Sequence, residues 1–336
     1  MDTAMDITAW SAISPYGLDR SCFTGGIRSG RSAMRWTDPA GPAAARACLV
    51  PGFDQRDVLG RKGTKGMDRM TGLAVHAVGS VHASGPADAA VVLGSTAGSV
   101  RSMMDFTRAS LTGERPFDVD PATIPSVVMN TPAGHCAMWH GITGPNATIA
   151  SGRVAGLLGL SYARRLLRTG RARTVLCGAA EEYSAARAWL WHHCGYGGGP
   201  LGEGAAVLRL EPAGASGAIG TVLGLDSRLG TVTAVAESAL RRAGITAGDL
   251  WAVIPSAPAE RDELAGVFGA EVLDRVPRVA ELIGDTGSVS AVFQIAAALA
   301  VGGGEPGPRV ALVTCADAMG TTAAAVLRLH GTGGPC

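Results

Sequence analysis

The sequence predicts an α/β protein in which helices cover both faces of β-sheets. The first observation is an alternation of apolar strands and amphipathic helices through both halves of the chain. The second is the stretch from Gly144 to Glu182, where a strand, a tight turn, a helix of about four turns and another strand follow one another. The third is size, because 336 residues that are 47% hydrophobic can bury a large core.

In the first half, apolar runs and helical spacing indicate five strands and four helices. The predicted strands cover residues 5–10, 45–50, 89–93, 147–150 and 174–177, and the predicted helices cover residues 67–82, 99–111, 124–138 and 154–168. The last of these helices carries Arg164, Arg165 and Arg168 in its final turns, where cations suit the negative helix end.

The second half repeats this pattern in a shorter form. Strands are predicted at residues 205–210, 219–226, 250–254, 310–314 and 323–329, with helices at 232–243, 260–268 and 290–301. The glycine-rich stretch from Gly195 to Gly204 separates the two patterns. We therefore predict an N-terminal half at residues 1–200 and a C-terminal half at residues 201–336.

Composition excludes several classes of function. The formal charge is +1 with mixed signs, which gives no electrostatic basis for binding nucleic acid or an anionic membrane. The N-terminus has no secretory signal pattern, and the longest apolar run, residues 289–301, is too short to span a bilayer. Seven scattered cysteines without a CxxC pair are typical of reduced thiols, so we expect a cytoplasmic protein.

The turn before the helix at 154–168 has the setting of a nucleophile site. Free backbone N–H groups at a helix N-terminus can hold an oxyanion and lower the pKa of a thiol. The residue that enters this helix is Arg153, which stays protonated and cannot act as a nucleophile. The local structure is therefore that of a catalytic turn without its reactive group.

Several ordered motifs give the chain a resemblance to a known family. The active-site pattern GPN-x5-SG-x3-G is followed by VLCGAAE, and the upstream run IPSVVMNTPAGHCAMWHGITGPN leads into it. WSAISPYG, VVLGSTAGS, LGEGAAVLRLE and MGTTAAAVLRL occur in the corresponding order along most of the chain. Together these motifs resemble the β-ketoacyl synthases, which elongate fatty acids and polyketides. The resemblance implies a five-layered, thiolase-like αβαβα fold built from two pseudo-repeated halves.

The departures from that family are as informative as the matches. Arg153 stands where the family has its cysteine nucleophile. The first catalytic histidine should precede Glu260 and the second should fall near Gly284, but neither segment contains a histidine. This loss resembles the chain-length factor of type II polyketide synthases, which forms a heterodimer with a catalytic ketosynthase. The resemblance then implies a ketosynthase partner, transient contact with acyl carrier protein, and no cofactor.

The same resemblance implies roles for particular side chains. It places Ser99, Ser102 and Phe106 on one face of a helix that closes the end of the polyketide tunnel. Two small residues followed by a ring predict a deep channel for a long, polyene-like chain, whereas the alternative is simple packing of this face. Residues at the subunit interface would include Met103, Met129, Asn130 and Arg153. The strand at 147–150 is expected to pair across the dimer axis.

Arg153 needs a partner, because a cation near a helix N-terminus costs roughly 0.3–1 kcal/mol. The candidate carboxylates are Asp285, Glu203 and Asp317. An alternative function is a divergent homodimeric synthase or acyltransferase that uses Ser151 or another nucleophile, although serine needs a base. A second alternative is a pseudoenzyme that only scaffolds a biosynthetic complex.

The histidines do not form a recognisable metal motif. His135 and His140 are five residues apart, and Cys194 follows His192 and His193. A metal needs ligands that converge on one point, whereas His135 falls in the AGH pattern of the family, where it caps or packs. We therefore predict no metal site. The glycines at 195 and 197–199 are not followed by a Lys-Ser/Thr pair and a helix, which argues against a phosphate-binding loop.

Overall fold

The computed structural model describes residues 4–34, 36–42, 45–195, 199–303 and 307–331. Its strands are Met5–Ile13 (β1), Trp36–Asp38 (β2), Ala45–Cys48 (β3), Ala90–Ser95 (β4), Asn146–Ala150 (β5), Val175–Glu181 (β6), Leu201–Gly202 (β7), Gly204–Pro212 (β8), Gly220–Leu229 (β9), Leu250–Ile254 (β10), Arg309–Ala316 (β11) and Thr321–Leu329 (β12). Its helices are Arg20–Ser29 (α1), Gln55–Leu59 (α2), Arg69–His82 (α3), Val100–Thr112 (α4), Thr131–His140 (α5), Ala155–Arg168 (α6), Ala185–His193 (α7), Val232–Ala243 (α8), Pro258–Phe268 (α9), Ala270–Leu273 (α10), Val279–Ile283 (α11) and Ser290–Gly302 (α12).

Nine strands form one hydrogen-bonded sheet that contains two copies of the same pattern. The order β1-β8-β6-β4 is repeated by β9-β12-β11-β10, and in both sets the first two pairings are antiparallel and the third is parallel. The sets meet where Met5–Ile7 of β1 pairs with β9. The edge strand β5 extends the first set through parallel pairing with β4. This repeat confirms the expected pseudo-symmetry.

Helices α6 and α12 lie between the two strand sets. Helix α6 contacts β4 and β6 of one set and β9 and β12 of the other, while α12 contacts β11, β8 and α6. The apolar side chains of this middle layer form one large buried cluster, whereas separate clusters lie under α3 and under α8 on the outer faces. The layers therefore run helix, sheet, helix, sheet, helix, as predicted.

Each middle helix starts from the same local conformation. A 3₁₀ turn at Gly152–Val154 leads into α6, and a second at Gly287–Val289 leads into α12. Gly152 and Gly287 have φ values of +52° and +53°, which L-residues with a side chain rarely adopt. Sharp glycine turns thus direct both helices into the space between the strand sets.

The predicted helix at 124–138 was wrong as a single element. The chain instead forms a 3₁₀ helix at Pro121–Val127, breaks, and resumes as α5. Pro125 and Pro132 lack the backbone N–H that the interior of a continuous helix needs. Pro132 is tolerated where it stands because it lies in the first turn of α5, where that N–H has no partner within the helix. The predicted division after residue 200 stays a prediction, and the strand order groups β8 with the first set. No helix in the described ranges is long and apolar enough to cross a membrane.

Candidate functional site

A cavity of about 580 Å³ opens where α6 begins. Strands β4, β5 and β6 are parallel, so their carboxyl ends meet at this edge of the sheet, which is where α/β proteins commonly bind ligands. The lining residues are Thr96, Ser151, Gly152, Arg153, Trp191, Gly195, Asp285, Gly287, Asp317, Ala318, Met319 and Thr321. The predicted catalytic turn therefore faces an open cleft.

Arg153 forms a bidentate ion pair with Asp285 at the floor of this cleft. Nη2 of Arg153 donates to Oδ2 of Asp285 at 2.5 Å, and Nε donates to Oδ1 at 3.3 Å. Burial favours the uncharged form of Arg153, but the charge and hydrogen bonds of Asp285 outweigh burial and raise the pKa of Arg153. For Asp285, burial acts to raise the pKa, but the Arg153 guanidinium prevails and lowers it. Both groups are therefore charged at neutral pH.

Asp317 is the second carboxylate at the start of α6. Its Oδ1 accepts the backbone N–H of Arg153 at 3.2 Å, and its Oδ2 accepts the backbone N–H of Met319 at 3.2 Å. Cys315 lies beneath the turn and donates its thiol to the carbonyl oxygen of Arg153 at 3.2 Å. Burial raises the pKa of Cys315 well above its ordinary value. This thiol therefore stays protonated at neutral pH and is a poor nucleophile.

The three carboxylates named as partners for Arg153 have different contacts. Asp285 forms the ion pair with the guanidinium of Arg153, and Asp317 accepts the backbone N–H of Arg153. Glu203 is buried elsewhere against Arg69, with Nη2 to Oε1 at 2.5 Å and Nε to Oε2 at 2.9 Å. Asp285 lies next to Gly284, near which the family resemblance places the second catalytic histidine, and Arg153 stands where that resemblance places the cysteine.

Arg187 is a site residue that the sequence did not reveal. Its side chain is fully buried (0% exposed) and donates to the carbonyl oxygens of Glu182, Gly202 and Asp285 at 2.9, 2.9 and 3.3 Å. Its guanidinium carbon also lies 5.1 Å from the ring centroid of Trp191. Arg187 therefore holds α7, β7 and the Asp285 loop together behind the cleft. No motif signals this role, because its partners are backbone groups on three separate segments.

The predicted gating residues lie at the start of α4. Ser99 is buried and caps the helix by accepting the N–H of Ser102 at 3.1 Å, and its hydroxyl donates to Oε1 of Glu182 at 2.7 Å. Ser102 and Phe106 are half-buried on the same face. Burial raises the pKa of Glu182 to about 7, although the bond from Ser99 opposes this shift. Ser99 thus has a structural contact, and control of chain length by this face stays a prediction.

The predicted interface residues have different surroundings. Met129 is 47% exposed and Asn130 is exposed at the start of α5, whereas Met103 is half-buried on α4. Arg153 lies on the cleft floor with its side chain 32% exposed. The backbone of Met129 lies close to Gly98, because a Cβ atom at Gly98 would be 2.9 Å from Cα of Met129. Their role in subunit contact stays a prediction.

Among the residues that the structure describes, the histidines lie outside the cleft lining. None of the described residues that line the cavity is a histidine, so Ser151, which does line it, has no imidazole base among them. Nε2 of His140 lies 2.8 Å from the carbonyl oxygen of Val75, and His192 and His193 pack against Trp189 on the exposed side of α7.

The layered fold and the active-site turn together define the class of condensing enzymes with a thiolase-like fold. Residues 4–191 match the family described as beta-ketoacyl synthase, N-terminal domain. The chain belongs to the β-ketoacyl synthase family.

Comparison with known proteins refines this assignment. The chain is similar to the ishigamide ketosynthase/chain length factor structure, with a TM-score of 0.90 and 42% identity, over 98% of this chain and 100% of that one. It is 25% identical to 3-oxoacyl-[acyl-carrier-protein] synthase 2 of Vibrio cholerae over 61% of this chain and 57% of that protein. It is 30% identical to a polyketide beta-ketoacyl synthase 2 of Streptomyces virginiae over 54% and 48%. The chain thus spans about half the length of these curated relatives.

We expect Arg153→Ala to lower the free energy of unfolding, because it leaves the half-buried Asp285 carboxylate without its cation. The expected loss is about 2–3 kcal/mol, less than for a fully buried pair, because both side chains are partly exposed. Adding Asp285→Asn should recover at least half of it in urea denaturation. Arg108→Ala, which breaks an exposed pair with Asp105, is the control and should change little. Equal losses in the single and double variants would contradict the ion-pair account.

We also expect Glu182 to make stability pH-dependent. Its carboxyl has a pKa of about 7 when folded, against about 4.3 when unfolded. Between about pH 4.3 and pH 7 the Glu182 carboxyl therefore binds a proton in the folded state but not in the unfolded state. Its contribution to the free energy of unfolding, about 3 kcal/mol, is fully present below pH 4 and is lost as the pH rises through 7. Glu182→Gln should flatten this decline between pH 5 and pH 8, whereas the exposed Glu114→Gln should not. Denaturation curves with identical pH dependence in both variants would refute the assignment.

Proposed function

We propose that this chain is a chain-length-factor subunit of a type II polyketide synthase. It would act in the cytoplasm as the non-catalytic half of a heterodimer with a ketosynthase. The partner would supply the cysteine and two histidines that load an acyl chain from acyl carrier protein, decarboxylate malonyl units and form each carbon–carbon bond. This chain would complete the tunnel that holds the growing product.

The observation that carries the proposal is the Arg153–Asp285 ion pair. It lies at the start of α6, at the floor of a cleft whose surrounding fold is intact. Covalent acyl transfer needs a nucleophile, and a guanidinium held by a carboxylate cannot act as one. The similarity to a ketosynthase/chain length factor structure along the whole chain supports the same conclusion.

Surface composition supports a subunit interface on one side of the molecule. Among the described residues, a group of exposed large apolar side chains falls on α4, α5 and the segment between them: Met104, Leu111, Phe117, Ile124, Val128, Met129 and Met138. Strand β5 lies next to this region, and within the described part of the chain one of its edges is unpaired and Thr148 Oγ1 is buried without a hydrogen-bond partner. An edge strand and apolar flanks are suited to continuing the sheet into a second subunit.

Two small side chains near the start of α4 support a deep tunnel. Ser99 and Ser102 precede the ring of Phe106, and both Ser102 and Phe106 are only half-buried in the isolated chain. In a heterodimer, this face would border the partner's channel. A long, extended product of polyene-like character would fit such a channel better than a short one.

Co-expression with a catalytic ketosynthase from the same organism tests the heterodimer. We expect the two chains to co-purify and elongation activity to require both. Met129→Asp should reduce co-purification at least tenfold, because a carboxylate at an apolar interface loses water without gaining a partner. Leu229→Asp, at another exposed apolar position (76% exposed), should co-purify normally. Normal co-purification of Met129→Asp would show that the interface lies elsewhere on the chain. Failure of the wild-type pair to assemble would refute the proposed function.

Product length tests the tunnel. In the reconstituted heterodimer, Ser102→Phe should shorten the released product, because a ring on the gating face blocks the channel. Thr107→Phe places the same ring on an exposed part of α4 and should leave the length unchanged. Ser99 is less suitable for this test because it caps the helix. Mass spectra showing the same length for Ser102→Phe and wild type would favour a scaffold that does not touch the product.

A further inference from the structure

The N-terminal end of α6 already holds an anion, and that anion belongs to the chain itself. Both oxygens of Asp317 are used: one accepts the backbone N–H of Arg153 and the other accepts that of Met319, each at 3.2 Å. Backbone N–H groups and the helix dipole make such an end attractive to negative groups. The Asp317 carboxylate therefore lies where a negatively charged oxygen of a ligand would otherwise be held.

The surrounding backbone is shaped to bring this carboxylate close. Gly152, one residue before Arg153, has φ of +52°, and a Cβ atom there would be only 2.1 Å from Oδ1 of Asp317. Glycine at 152 thus leaves room for the carboxylate as well as permitting the turn. On the other side, the β11–β12 hairpin fixes the backbone of Asp317, whose N–H donates to Thr321 at 2.9 Å and whose carbonyl accepts from Gly320 at 3.0 Å.

We propose that Asp317 is a built-in anion that closes the oxyanion-binding position of the cleft. The proposal rests on the proposed function, in which this chain forms no acyl bond. A thioester carbonyl that entered the cleft would find the N–H of Arg153 occupied, and its developing negative charge would face a carboxylate. The chain is then disabled twice, once by the missing nucleophile and once by the filled anion position, so that restoring a thiol alone does not restore acyl transfer.

Acetate binding tests the first part of this proposal. We expect Asp317→Ala to bind acetate at least tenfold more tightly than the wild-type chain, as measured by the acetate-dependent rise in melting temperature at constant ionic strength. Asp54→Ala is the matched control, because Asp54 also accepts two backbone N–H groups, at 2.8 and 3.4 Å, but at α2 and outside the cleft. Equal acetate affinity in Asp317→Ala and wild type would overturn the proposal. Asp317→Asn, which keeps the side-chain volume, replaces the alanine variant if that variant does not fold.

Acyl transfer to an introduced thiol tests the second part. The parent variant is Arg153→Cys with Asp285→Asn, so that no carboxylate is left without its cation, and Asp317→Ala is then added. The introduced thiolate attacks the carbonyl carbon of an acetyl thioester of N-acetylcysteamine, and a carbon–sulfur bond and an oxyanion form. The oxyanion collapses, the bond to the departing sulfur breaks, and the N-acetylcysteamine thiolate takes a proton from water.

The rate of acylation is compared with the rate of alkylation by iodoacetamide, which depends on the thiol but forms no oxyanion. Because one oxyanion donor contributes about 10²–10³ in rate, we expect Asp317→Ala to raise the ratio of acylation to alkylation at least tenfold. An unchanged ratio would overturn the proposal. An adduct on the wild-type chain would instead contradict the proposed function, whereas the acetate comparison would still decide the role of Asp317.

Discussion

The ion pair between Arg153 and Asp285 joins the two strand sets at the floor of the cleft. Arg153 enters α6, and Asp285 precedes α12, so the pair links the starts of both middle-layer helices. Removing one member of this half-buried pair leaves an uncompensated charge. Oδ1 of Asp285 also accepts the backbone N–H of Gly287 at 2.9 Å, so the pair connects the two glycine turns.

Around this pair, the buried carboxylates are held by hydrogen bonds. Glu181 accepts from Thr96 and Ser288, and Glu182 accepts from Ser99 and the N–H of Met70. Glu260 accepts from the hydroxyls of Ser256 and Thr314 and from the N–H groups of Ser256 and Ala316, and these four donors are neutral. Buried charge is tolerable only with such partners. The buried carboxylates around the cleft are thus each satisfied by neighbouring donors.

The sequence predicted elements best where the local signals at both ends were strong. Helix α8 was predicted to the residue, because Thr231 caps its start and Gly244, at φ +66°, ends it. Helix α1 was missed, because Gly25 and Gly26 lower helix propensity; Gly26 is needed since a Cβ there would be 2.2 Å from the Tyr16 ring. Such tertiary contacts are not visible in a local pattern.

For the site, the family motifs pointed to the turn at Arg153, which lines the cleft, and the sequence named Asp285 only as one of three candidate partners. Asp285 reaches Arg153 because the loop that contains it packs against the start of β7. The N–H of Asp285 donates to the carbonyl of Pro200, and the carbonyl of Asp285 accepts from the N–H of Gly202. These contacts join segments far apart in the chain, so residue spacing does not predict them. Arg187 was missed for the same reason, because its acceptors are carbonyl groups on segments that only the fold brings together.

The charges of the cleft also limit what a single substitution at position 153 could restore. A cysteine at 153 beside an unpaired Asp285 would face a carboxylate that raises the pKa of its thiol and weakens it as a nucleophile. The cleft is stabilised by the Arg153–Asp285 ion pair, so a reactive thiol at 153 requires that Asp285 change as well.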